Sequence, residues 1–324
     1  MSIILTLCLL TVTASSDEHT SMIVVVGAPG APEYGDQFRR WSDLWRAAAR
    51  KGSAACTVIG LDPEAGVSDH DRLKTTLAEN SSPGQVPLWL ILIGHGTFDA
   101  REAKFNLRGP DLTDVELSEW LKPIRRPIAV MDCTSASGPF LGRLSAENRV
   151  IVTATRSGDE QNFARFGQYL AESIADLLAD LDKDGQVSLL EAYLTASNRV
   201  AEYYKTKSQL STEHPLIDDN GDRMGTPPDW FQGVRVTRRA KEGSVPDGTR
   251  AHQFHLIPSE REQGMPIDVK RRRDEIEQRL ATLREQKSKL KEDAYYAQME
   301  TLMVELATIY RDVRKVTPER PVKP

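Results

Sequence analysis

The chain's hydrophobic pattern is dominated by Leu88–Gly96, LWLILIGHG, where six apolar residues run without polar alternation into Gly94-His95-Gly96. An uninterrupted apolar run of this length, bounded by Pro87 and a glycine pair, predicts a strand buried on both faces at the centre of a parallel sheet. Pro127–Cys133, PIAVMDC, repeats the pattern, and Ser21–Gly27 and Arg149–Thr155 add two more buried strands, with a shorter one at Cys56–Leu61. Between them, Asp36–Lys51 carries Phe38, Trp41, Leu44, Trp45 and Ala48 at helical spacing and stops at Gly52. Asp69–Glu79 and Asp114–Leu121 are further predicted helices. Strands alternating with helices on this scale predict an α/β fold, a mostly parallel sheet with helices on both faces.

Beyond the last strand, Phe166–Asp180 and Leu189–Lys205 are amphipathic and flank a short acidic loop. Asp218–Pro228, DDNGDRMGTPP, closes this unit in turn chemistry. Residues 236–267 are rich in Gly, Pro and charge and predict a linker with a small β element at Gln253–Ile257. Two stripes follow, Ile276, Leu280, Leu283 and Leu290, then Met299, Leu302, Leu306, Ile309 and Val313. They predict a helical hairpin or coiled coil over 268–316, with the polar interval 291–294 either a tight turn or continuous helix, and a disordered tail at 317–324. The hairpin is a candidate surface for a protein partner.

Composition narrows the function. A net charge of −5 gives no electrostatic basis for nucleic-acid binding. Met1–Ala14 is apolar and uncharged, too short for a membrane span and suited to a signal peptide ending near residue 16, which predicts an exported, periplasmic or extracellular protein without stable membrane insertion. The main α/β unit is then 17–235. Removal of Cys8 leaves Cys56 and Cys133, too few for a disulfide framework, so Cys133 reads as a free thiol.

His95 and Cys133 each end a predicted central strand and so arrive at the same carboxyl edge, where open α/β sheets bind ligands. A thiol attacks a carbonyl as the thiolate, which needs a base such as histidine, and Gly96 has no side chain to obstruct an oxyanion site. Packing roles for both residues are the alternative. The motifs sharpen this. GHG after an apolar strand, a strand-end Cys 38 residues later, the sequence MDCTSASG, Thr153-Ala154-Thr155 and Glu160–Ala164 together resemble the caspase–legumain clan of cysteine peptidases, specifically a bacterial legumain-like group. The resemblance spans about residues 22–233 and implies a caspase-like fold. It implies a Cys133 nucleophile, a His95 base, an oxyanion hole from the amides of Gly96 and Cys133, and a cleft lined by Thr155 and Asn162.

Departures from that family are equally visible. Its first-loop Arg–His pair is replaced by Gly35 and Asp36, and Met131 stands two before the thiol, so cleavage after Asn does not carry over. An unpaired Asp36 in the pocket predicts preference for a basic side chain, unless Asp36 simply caps the helix that starts there. Asp132, next to the thiol, disfavours the thiolate. The expectation is a cysteine endopeptidase acting on peptide or protein substrates. An inactive scaffold that binds protein partners and an acyl-transferring relative remain as alternatives.

Asp180–Glu191, DLDKDGQVSLLE, fits the twelve-residue EF-hand loop. Side-chain oxygens fall at Asp180, Asp182, Asp184 and Ser188, the backbone carbonyl at Gln186, a glycine at the sharp turn, and the closing carboxylate at Glu191. One structural Ca²⁺ and no organic cofactor are expected. Asp218–Asp222 lacks an acid at the matching first and twelfth positions of a second site and reads as a polar turn from which Asp218 or Asn220 could add a ligand.

Overall fold

The computed structural model describes residues 20–62, 66–238 and 245–316; the expected signal segment 1–16 and the tail 317–324 lie outside them. In chain order come β1 (Ser21–Val26), α1 (Pro32–Lys51), β2 (Ala55–Ile59), α2 (Asp69–Glu79), β3 (Leu88–Ile93), β4 (Gly96–Phe98), β5 (Ala103–Phe105), β6 (Leu112–Thr113) and α3 (Asp114–Leu121). Then follow β7 (Ile128–Asp132), α4 (Gly138–Leu144), β8 (Arg149–Thr153), α5 (Phe166–Ser173), α6 (Leu189–Thr206), β9 (Leu216–Asp218), β10 (Phe231–Gln232) and β11 (Arg235–Val236). The chain finishes with α7 (Thr249–His252), α8 (Glu260–Gln263), α9 (Ile267–Glu285) and α10 (Glu292–Val316).

Six strands form the central sheet in the order β2-β1-β3-β7-β8-β9, parallel except for β9. Strand periodicity sends alternate side chains to opposite faces, and both faces here are apolar. Met22, Val24 and Val26, Trp89, Ile91 and Ile93, and Ala129 and Met131 meet α1, α5 and α6. Ile23 and Val25, Leu88, Leu90 and Leu92, and Ile128 and Val130 meet α2, α3 and α4. Each fully buried aliphatic side chain contributes about 1.5–3 kcal/mol relative to exposure. The fold class is therefore the expected one, a mostly parallel sheet covered on both sides by helices.

Several local expectations differ. α1 begins at Pro32, not Asp36, because a proline loses nothing at the first turn of a helix. α5 ends at Ser173 instead of running to Asp180; the Asp176 carboxylate accepts from Leu178 N, and a single tight turn, 177–179, follows. A three-stranded antiparallel sheet, β4-β5-β6, grows directly out of the end of β3. In the stretch read as turn chemistry, Asp218 ends β9, whose Ile217 forms a two-bond bridge outward to Thr226 (3.2 and 2.7 Å). The expected strand at Gln253–Ile257 reduces to one bridge, Ser188 with His255, set between α7 and α8.

The C-terminal stripes form two antiparallel helices, α9 and α10, around Ile276, Leu280, Leu283, Tyr295 and Leu302. The reversal falls at 286–291, one turn earlier than the polar interval suggested. The pair is tied to the rest of the protein by Arg273 with Glu262 (2.5 Å), and by Gln253 with Glu277 (2.9 Å). Among the described residues no helix is long and apolar enough to cross a membrane.

Candidate functional site

The carboxyl ends of β1, β3, β7 and β8 bring residues 27–31, 94–96, 133–137 and 154–155 to one edge. The glycines there are needed for close approach: a Cβ on Gly96 would lie 2.1 Å from Ser135 O, and one on Gly94 2.9 Å from the Phe105 ring. His95 emerges half-buried between them. Its ring sits edge-on to Tyr34 (4.8 Å) and Phe38 (5.3 Å), with Phe163 at 6.1 Å. His95 Nε2 lies 3.2 Å from Pro29 O. A carbonyl only accepts, so this contact assigns the proton to Nε2 and leaves Nδ1 as an acceptor.

Cys133 follows the alternation of β7, on the face of Ala129 and Met131. It is 1 % exposed. It packs so closely on α5 that a Cβ at Gly167 would come 2.6 Å from Cys133 Cβ and 3.2 Å from Trp41. Among the described residues its sulfur's one polar contact is Met131 O at 3.9 Å, and no hydrogen bond joins it to His95. Burial pushes the thiol pKa well above its ordinary value, and the Asp132 and Glu213 carboxylates push it further the same way. The expected Cys133–His95 hydrogen bond is therefore not made, because strand alternation turns the sulfur into the helix-covered core.

The oxyanion-hole expectation also fails in this arrangement. Gly96 N donates to Ser135 Oγ (3.2 Å), which itself donates to Gly96 O (3.1 Å), and Cys133 N donates to Leu92 O (3.0 Å) as a continuation of the sheet. Thr134 and Ser135, not Cys133, are the residues that abut Gly96. Thr134 donates both N (3.1 Å) and Oγ1 (2.6 Å) to Asp132 Oδ1. Asp132 Oδ2 is buried without a partner, and burial raises this carboxyl to about 7.

Thr155 is fully buried and does not line a cleft. Its hydroxyl accepts from Gly138 N (2.9 Å) and contacts Ser157 O (3.2 Å) and Ser137 Oγ (3.1 Å), which exhausts its capacity. Asp36 is exposed inside α1, with no ion pair or hydrogen bond to the site, and it does not cap the helix. Tyr34 and Phe38, one helical turn apart, face His95; Asp36, midway between them, points to the opposite side. Asn162 is exposed next to Phe163. Phe163 belongs to the segment Glu160–Ala164 already singled out, but two groups at this edge went unnoticed in the sequence: Arg165, stacked on Tyr203 (4.2 Å), and Glu213, whose carboxylate caps α5 through Arg165 N (2.8 Å) and Phe166 N (2.9 Å). Caps joined across 47 residues carry no local signal.

The acidic loop forms a second cluster, with carboxylate oxygens of Asp180, Asp182 and Asp184 within 4.8 Å of one another. Glu191 is fully buried and reaches back into the loop: Oε1 accepts from Leu181 N (2.7 Å) and Asp182 N (3.2 Å), Oε2 from Ser188 N (2.8 Å) and Oγ (2.8 Å). Gly185 takes φ 92°, the turn that an EF-hand glycine makes. Gln186 spends its side chain on Asp184 (2.9 Å) and on Ser259 N (2.9 Å), leaving the backbone carbonyl for the seventh position. An all-oxygen donor set with an inward-facing buried carboxylate suits a hard cation. Asp182 also pairs with His252 Nε2 at 3.2 Å.

No protein-family model matches the sequence, and no curated protein matches it. Among solved structures, the chain is similar to the Drosophila initiator caspase Dronc at 13% identity and TM-score 0.45, over 64% of this chain and 81% of that one. Caspase-1 from Spodoptera frugiperda aligns at 12% identity and TM-score 0.39, over 62% and 86%. Chaetomium thermophilum Raptor aligns at 12% identity and TM-score 0.33, over 48% of this chain and 17% of that one.

Proposed function

We propose that this protein is a caspase-like scaffold that binds a polypeptide partner without cutting it, stiffened by one Ca²⁺ in the Asp180–Glu191 loop. The reading rests on the core position of Cys133: a thiol packed against Trp41 and Gly167, with its pKa raised and no base in contact, is not a poised nucleophile. The half-exposed ring group of Tyr34, His95 and Phe163, bordered by Arg165, supplies a binding surface at the same edge. Calcium would be held by the gathered Asp180, Asp182 and Asp184, neutralising carboxylates that otherwise repel one another; the loop pattern adds the Gln186 carbonyl, Ser188 and Glu191, the last two first exchanging their present hydrogen bonds. Export belongs to the same reading.

The second reading is an endopeptidase, hydrolytic or acyl-transferring, whose thiol is freed by a shift of α5; the unengaged Nδ1 of His95 favours it. Thiol chemistry separates the two. With an electrophilic acyl probe on the full chain, exposed Cys56 should label at least a hundredfold faster than Cys133, and peptide libraries should show no turnover. Turnover that disappears in Cys133→Ala or His95→Ala would overturn the scaffold in favour of the enzyme.

A further inference from the structure

We infer that the protein carries an anion-binding cavity on the side opposite the candidate site, formed where α9 crosses the amino-terminal edge of the sheet, and that its ligand is a compact organic dianion. The cavity has a volume of about 600 Å³ and is lined by Pro87 and Pro127 at the starts of β3 and β7, by Arg125, and by residues of 250–278. That volume suits a small molecule.

Its walls carry more positive than negative charge, with Arg125, Arg250, Lys270, Arg271 and Arg273 set against Glu262, Asp274 and Glu275. Lys270 is half-buried on α9, and burial lowers its pKa, yet among the described residues no ion pair within 4 Å or hydrogen bond engages its ammonium. The nearest carboxylates, Glu262 and Asp274, both contact Arg273, at 2.5 and 2.7 Å, and act on Lys270 only from beyond ion-pair distance. Arg125, exposed in the turn before β7, lines the same cavity and makes no ion pair among the described residues. Among the described residues the hydrogen bonds of Arg250 go to neutral oxygens, Asp219 O, Asn148 Oδ1 and Gln278 Oε1, at 3.1–3.3 Å, with the buried Asp219 carboxylate acting on it at longer range. His255 adds a ring nitrogen, Nε2, that is sealed from solvent and has no partner.

Lysines seldom lose water without a partner, since desolvating an ammonium costs free energy that only an anion or good acceptors return. Here two cations without a short ion pair, exposed Arg125 and half-buried Lys270, and an orphaned imidazole nitrogen line one space. A ligand with two anionic ends, a phosphate monoester or a dicarboxylate, would meet Arg125 in the turn before β7 and Lys270 on α9 at once. It would thereby pin the helical pair to the sheet. This inference is independent of whether Cys133 is catalytic.

The test uses the full chain with phenyl phosphate, succinate and, as an ionic-strength control, sodium chloride. One or both dianions should raise the melting temperature in a saturable way and slow amide exchange in 267–278, with no effect from chloride. Lys270→Gln and Arg125→Gln, each checked for an unchanged fold by circular dichroism, should weaken binding at least tenfold. Absence of binding by both dianions at millimolar concentration, or full affinity retained in both variants, would overturn the proposal. A response to phenyl phosphate alone assigns the ligand to the phosphate esters, and to succinate alone, the dicarboxylates.

Discussion

Asp132→Asn should leave stability nearly unchanged at about pH 4 and raise it by a few kcal/mol at about pH 8, an expectation set by proton linkage. The carboxyl is fully buried, faces the α2–α4 layer, and is shifted to about 7 by burial, against which the Thr134 hydrogen bonds act only in part. In the unfolded chain it ionises near its ordinary value of about 4. Between those two values the folded state holds a proton that the unfolded state has released, so stability falls as pH rises through that window. The full difference corresponds to on the order of 4 kcal/mol at most, from about 1.4 kcal/mol per unit. Asparagine keeps the Oδ1 acceptor for Thr134 and cannot ionise, so the variant loses this component of the slope. Chemical denaturation of both proteins at several pH values measures it; parallel curves for the two would show that Asp132 is not the buried acid described.

Chelation should produce the next largest effect. If the loop binds Ca²⁺ as proposed, a hundredfold excess over the dissociation constant stabilises the fold by about 2.7 kcal/mol, and EDTA removes it. For a protein of this size the melting temperature should fall by roughly 4 °C. Glu191→Gln is a poor isolating variant, because both Glu191 oxygens already accept backbone donors and an amide would present a donor to one of them. Asp182→Asn is cleaner: it keeps the acceptor for Asp184 N (3.2 Å) and removes one anionic ligand. Its melting temperature should respond little to EDTA while the parent responds fully. A parent indifferent to EDTA, with no calcium detected by isothermal titration, would end the calcium reading.

The parts of this protein legible in its sequence are those set by local periodicity. β3 is apolar throughout because both faces are covered, and α2 and α3 occupy the predicted ranges, Asp69–Glu79 and Asp114–Leu121, because each opens on a side-chain cap, Ser68 and Thr113. What stayed hidden depends on distance or phase. β4, β5 and β6 are two or three residues each, too short for alternation to register, and exist by pairing with one another. The site illustrates the phase problem. Reading PIAVMDC as a strand placed Cys133 at the right edge, but the face on which its sulfur lies follows from register with Ala129 and Met131, and only the packed helices reveal that this face is closed. The Asp36 reading failed through a start four residues early: with Pro32 opening α1, helical rotation sends Tyr34 and Phe38 toward His95 and Asp36 away.

The bridge between Ile217 and Thr226 has a consequence for how copies of this chain can meet. An open sheet ends in rows of unused amides and carbonyls that template pairing with another strand. At the β9 end those groups on Ile217 are already taken from outside, both N–H and C=O, by the returning chain. The sheet is thus self-terminated there, and a second copy cannot prolong it at that position without first displacing Thr226. Its other end, β2, has no such cover among the described residues and shows Ala55, Cys56 and Thr57 to solvent. Any association that works by lengthening this sheet is directed to β2.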